Sequence, residues 1–191
     1  MTTGVKTAPA KKTIPWRAGF VMMLNPGAVL KNAVARIPWP FSITVSALSF
    51  ALFFLQTGLD LVKTGQRSAA FAILLTAEGF VFGSAGVALL AAIAWSISKL
   101  FKNDKPIGWA ISAFGLGYCS TLIFVVLGMF FSLFMKWNTS VVFGVSGVLW
   151  ATGPMIATIR TMNHGKMALS IIIATVCSSL LLLGWATLGN A

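Results

Sequence analysis

Residues 69–98 read AAFAILLTAEGFVFGSAGVALLAAIAWSIS, thirty residues with a single charged side chain, Glu78. A hydrocarbon core about 30 Å thick is crossed by about 20 helical residues at 1.5 Å each. The stretch is therefore long enough to span a bilayer. Lipid offers no partner to a free backbone N–H or C=O, so a spanning segment must be a helix or a strand of a closed barrel. Barrel strands would show as alternating segments of about ten residues, which are absent. Four more apolar runs lie at approximately 41–62, 107–135, 140–159 and 167–188. The expected fold class is all-α: a polytopic membrane helix bundle of about five transmembrane helices, preceded by an amphipathic interfacial helix. The second and third segments exceed the minimum length and must either tilt or project from the bilayer.

Composition agrees. The chain has 191 residues, 58% hydrophobic and 9% charged, whereas soluble domains carry roughly 25% charged residues. A net charge of +11 would suit nucleic acid if it were gathered on one soluble face. The 14 Lys and Arg instead occupy short breaks between apolar runs, so membrane lipids are the expected partner and nucleic acid is not. Lys6, Lys11, Lys12, Arg17, Lys31, Arg36, Lys99, Lys102, Lys105, Arg160 and Lys166 fall on one side of the threading, and Lys63, Arg67 and Lys136 on the other. Basic loops stay in the cytoplasm. The expectation is a multi-pass protein of the cell (inner) membrane, N-terminus cytoplasmic and C-terminus outside. Trp95, Trp109, Trp137 and Trp185 sit near segment ends, as interfacial anchors do.

Ahead of the spans, residues 1–17 read as a basic flexible cytoplasmic tail, without a visible cleavable signal peptide. Residues 18–40 read as an interfacial amphipathic segment, and 41–191 as the five-helix domain. Asn25 can cap a helix whose first turn holds Pro26. Leu30, Ala33, Val34 and Ile37 then follow at helical spacing, with Lys31, Asn32 and Arg36 facing away, a pattern expected to lie in the interface plane.

Glu78 is the one acidic residue deep in an apolar run, and an ionisable group there is a functional candidate by default. The competing reading has it structural, reaching the headgroups from the outer half of its helix. Gly79 and Gly83, with the ladder Ser84, Ala88, Ala92 and Ser96, form a small-residue face for helix packing or for a partner. Internal packing is the first expectation for this face, with Leu90 facing lipid. Gly147 with Ala151, and Ser170 with Ala174 and Ser178, read likewise. Asp60 and Lys63, one turn apart, read as a solvated surface pair of little energetic weight. Cys119 and Cys177 lie in apolar runs, and His164 is the sole histidine. Nucleophilic catalysis needs a base within reach of a nucleophile, and no such pairing is legible. No catalytic residue, cofactor or metal site is expected, and the protein reads as no enzyme.

Four stretches carry a resemblance. Leu24-Asn25-Pro26-Gly27 leads an amphipathic stretch to Ile37-Pro38. Lys99-Leu100-Phe101-Lys102-Asn103-Asp104-Lys105 is a basic break. Leu116-Gly117-Tyr118-Cys119 lies inside the third segment, and Arg160 to Leu169 is a polar turn with Gly165-Lys166. In this order, over roughly residues 24–188, they resemble the Yip1-domain family of membrane proteins. Ser120-Thr121-Leu122 stands where members often carry a proline, and the acidic motif of eukaryotic members is missing. The resemblance implies a non-catalytic protein acting as partner or accessory subunit of a membrane complex, such as an export transporter. Other integral membrane proteins are the implied partners, with homo-oligomerisation open. The alternative is a small transporter or channel with Glu78 in its pathway, since transporter sites use broken helices and polar groups near the midplane.

Overall fold

Two prolines open the first two helices, where a residue without an N–H forfeits no hydrogen bond. Helix α1 spans Pro15–Leu24 and α2 spans Pro26–Asn32, followed by a 3-10 turn at Val34–Arg36. Asn25 joins them: its N–H donates to Val21 O (2.7 Å) and its side chain accepts from Ala28 N (3.1 Å). The first helix thus begins within the stretch whose composition reads as tail. The computed structural model describes residues 14–189; Lys6, Lys11 and Lys12 of that tail lie outside the described residues.

Five helical segments follow, each long and apolar enough to cross a membrane. The first span is α3 (Trp39–Lys63). The second is α4 (Ala69–Val81), a π-helical turn (Phe82–Gly86) and α5 (Val87–Lys99). The third is α6 (Ile107–Gly117) and α7 (Cys119–Phe134), and the fourth a π-helical turn (Ser140–Val145) continuing into α8 (Ser146–Met162). The fifth is α9 (Met167–Leu188). No strand occurs among the described residues, and the chain is an all-α, multi-pass membrane protein. Every loop between spans holds a left-handed residue: Gly65 (φ 71°), Lys102 (63°), Lys136 (56°), and His164 with Gly165 (49° and 88°). That conformation lets following N–H groups turn back onto the last helical carbonyls, as Gly165 N does to Arg160 O at 2.9 Å.

The first span is the axis of the bundle. In its most apolar stretch 67% of residues are buried, against 28% in the second span. Glycines of its neighbours make this possible. A Cβ on Gly79 would lie 2.6 Å from Phe50 O, one on Gly83 2.5 Å from Ser46 O, and one on Gly115 2.5 Å from Ser42 O. Close backbone approach through small residues replaces the hydrophobic driving force that lipid does not supply. Gly147 packs likewise on Thr121, while Ser170, Ala174 and Ser178 are buried, Ser178 sharing a 2.9 Å hydrogen bond with Thr152.

Gly115 meeting Ser42 also sets the register of the spans. Ser42 lies three residues into the first span and Gly115 eight into the third. The third span therefore projects beyond the first by five residues, about 7.5 Å of helix. Its surplus length emerges at the end bearing Lys31, Lys99, Lys105 and Arg160, called here the basic end. The hairpin of α1 and α2 packs there. Trp16 meets Phe41 edge-on at 5.5 Å, Gly19 sits against Leu116 and Cys119, and α1 and α2 both reach α8. The hairpin thus runs across the spans.

Candidate functional site at the basic end and along the second span

The spacing of apolar residues along α2 and the 3-10 turn after it places the side chains of this segment. Leu30, Val34 and Ile37 are buried, Ala33 is half-buried, and Lys31, Asn32 and Arg36 point outward. The apolar face expected to lie in lipid is instead covered by the protein, with α2 on α8 and the 3-10 turn on α6. Grooves remain on either flank of this segment. One, of about 820 Å³, is lined among others by Lys31, Val34, Trp39, Lys105, Trp109 and Ser112. The other, of about 560 Å³, is lined by Ile156, Arg160 and Met167, and shares Gly27 and Thr161 with the first.

Lys105 is held in place by the loop that carries it. Trp95 Nε1 donates to Lys105 O (2.8 Å), and Lys105 N donates to Asn103 Oδ1 (2.9 Å). Lys99 Nζ donates to Asn103 O (2.9 Å). The Lys105 ammonium lies 3.3 Å from Asp104 Oδ2, and this hydrogen bond and charge hold the exposed Asp104 carboxyl below its ordinary pKa. His164 Nε2 lies 3.1 Å from Lys102 O, and Lys166 sits over the Phe101 ring, which joins the two loops of this end.

Glu78 lies on the flank of α4, half-buried, and no described residue hydrogen-bonds or ion-pairs with its carboxyl. The small-residue face divides. Gly79 and Gly83 are buried against the first span, whereas Ser84, Ala88 and Ala92 are half-buried and Ser96 is exposed. The buried side of α5 is Val87, Leu90, Ala91, Ala94 and Ser98. Leu90, expected to face lipid, is 9% exposed and packs inside. The ladder is turned outward because the contacts of Gly79 and Gly83 with the first span fix the rotation of the helix.

At the opposite end the expectation of a solvated Asp60–Lys63 pair is corrected. Asp60 is 8% exposed. Its Oδ2 accepts the N–H groups of Thr139 and Ser140, both at 2.8 Å, and its Oδ1 lies 3.4 Å from Lys63 Nζ. Lys63 Nζ also donates to Ser132 Oγ and to Trp137 O. The carboxylate thereby receives the first N–H groups of the fourth span, as an anion at a helix N-terminus does. A polar stripe leads toward it along the first span: Ser42, Ser46, Ser49, Gln56 and Thr57, all buried. The single Ser49 Oγ–H is shared between Val45 O and Tyr118 O (2.7 and 3.0 Å), and Gln56 Nε2 donates to Val125 O (3.0 Å). Thr57 Oγ1 donates to Phe53 O and accepts from Trp185 Nε1. Phe50, Phe53 and Phe54 fill the space along the same helix, fully buried. Tyr118, in the stretch that resembles a family element, marks the break between α6 and α7 and packs on Phe50 at 5.2 Å.

The structure does not bring the three acidic side chains together: Asp60 lies at one end, Glu78 within the second span, and Asp104 at the basic end. Sequence reasoning missed the Asp60 staple and the stripe, although Ser42, Ser49 and Gln56 recur every seven residues on one helix face. The chain matches no protein-family model, no curated protein and no solved structure.

Proposed function

We propose that this chain is a non-catalytic subunit, of the Yip1 kind its sequence resembles, which docks other integral membrane proteins in the cell membrane. Its basic end faces the cytoplasm in this reading, because the loops there hold most of the Lys and Arg. The observation that carries the proposal is the outward face of the second span. A half-buried carboxyl without a partner stands on the same helix as an uncovered ladder of small residues. An unpaired ionisable group in hydrocarbon is costly, and a small-residue face admits another helix at close range. A partner helix would relieve the first and use the second.

The test is co-purification of partners, with complementation of a deletion strain in parallel. Ala88→Leu and Ala92→Leu should reduce partner recovery and activity while the melting temperature in detergent holds, since both sites are half-buried. Glu78→Gln keeps the shape and hydrogen-bonding capacity and should leave recovery largely intact. A second reading, an ion-coupled transporter, is favoured by the interruptions of the second and third spans at Phe82–Gly86 and Tyr118. It requires Glu78→Gln to abolish activity while the ladder variants stay active and wild type recovers no partner. That pattern would overturn the docking reading.

A further inference from the structure

We propose that the larger groove beside α2 is a binding site for an anionic phospholipid of the leaflet at the basic end. Four observations converge on that ligand. The groove lies where the third span projects beyond the start of the first, between Trp39 and Trp109. Indole side chains mark headgroup depth. Its wall is apolar, formed by Leu30, Val34, Ile37 and Pro38, whereas two ammonium groups, Lys31 and Lys105, stand among its lining residues. Basic pockets between membrane helices on the cytoplasmic side take anionic headgroups. Ser112, 3% exposed, lines the groove with a hydroxyl that no described residue hydrogen-bonds. The helical hydroxyls of Thr158 and Ser98 instead donate to the carbonyls four residues earlier, Pro154 O and Ala94 O. Ser112 thus has a donor free for a phosphate or ester oxygen.

The Asp104 carboxylate also lines this groove and opposes an anion. It is paired with Lys105 at 3.3 Å, and Lys31 has no carboxylate beside it among the described residues. Arg160 adds a further positive charge in the groove that shares Gly27 and Thr161. The phosphodiester is placed between Lys31 and Lys105, with the upper acyl chain along the apolar wall. This site is independent of the docking face on the second span.

Purified full-length protein in a neutral detergent is titrated with phosphatidylglycerol, phosphatidylcholine or inorganic phosphate. Melting temperature and native mass spectrometry are followed. Phosphatidylglycerol should raise the melting temperature and remain bound, with the other two doing neither. Lys31→Glu should weaken phosphatidylglycerol binding by about fivefold or more, since one basic residue near an anionic surface is worth about 1 kcal/mol, a factor of about five. Lys136→Glu makes the same change of net charge at the opposite end and should leave binding unchanged. Asp104→Asn, at an exposed side chain, should tighten it, an effect opposite to that of a merely damaging substitution. Equal stabilisation by phosphatidylcholine would overturn the proposal, and so would stabilisation by phosphate alone or unchanged affinity in Lys31→Glu.

Discussion

Asp60 illustrates how a side chain's surroundings alter its meaning. In sequence it is a carboxylate one helical turn before Lys63 near the end of an apolar run, and such a pair in water contributes little. In the fold the carboxylate has two backbone N–H groups at 2.8 Å and the lysine bridges to Ser132 and Trp137. Asp60 is buried whereas Lys63 is exposed, so the staple rests on the charge-assisted hydrogen bonds from the two backbone N–H groups, worth about 1.5–3 kcal/mol each. Asp60→Asn, which keeps one acceptor oxygen and removes the charge, should therefore destabilise the protein by about 1.5–3 kcal/mol, read as a lowered melting temperature in detergent. Asp104→Asn, whose side chain is 68% exposed, should leave the lipid-free melting temperature unchanged. Equal behaviour of the two variants would show that the Asp60 staple does not form. The residue types were legible; their burial was not, because residues 79 and 80 positions away bring the donors.

At the scale of the element, the rotation of the second span decides which small residues carry stability. Gly83 has no room for a methyl group, since a Cβ would come within 2.5 Å of the Ser46 carbonyl oxygen. Gly83→Ala should cost about 1–3 kcal/mol through overpacking. Leu90→Ala removes a buried side chain and should cost about 2–5 kcal/mol. Ala88→Leu, at a half-buried site, should cost less than either, and thermal unfolding in one detergent ranks the three. A larger loss in Ala88→Leu than in Gly83→Ala would mean that the ladder, and not the glycine pair, faces the first span. The sequence shows both sets at i+4 spacing and does not separate them. In lipid the hydropathic periodicity that marks a buried face in water is weak, because both sides of the helix are apolar. The hairpin differs. Asn25 and Pro26 mark the start of α2, and Leu30, Val34 and Ile37 do share a covered face because charged residues alternate with apolar ones there. The helix nevertheless gives way to a 3-10 turn at Val34, and the cover is α6 and α8, not lipid.

For the whole molecule, the charge asymmetry sets an expected topology, and the structure improves its test. Thr139 and Asn103, natural loop positions for labelling, are 1% and 4% exposed; Asn138 and Asp104 are exposed. With Cys119 and Cys177 replaced, a membrane-impermeant thiol reagent on intact cells should label Asn138→Cys and spare Asp104→Cys. The reverse pattern would overturn the orientation. The amino-acid sequence by itself determined that the protein is an all-α, multi-pass membrane protein with five helices capable of spanning. Backbone groups in hydrocarbon have no partner outside their own helix, so hydropathy and length suffice for that conclusion. Tertiary structure alone decided that the first span is the axis, that the third projects at the basic end, and that Asp60 is a staple. It also turned Glu78 and the Ser84–Ser96 ladder outward. These outcomes depend on which backbone approaches which glycine across the bundle, and each is set by contacts between residues far apart in the chain.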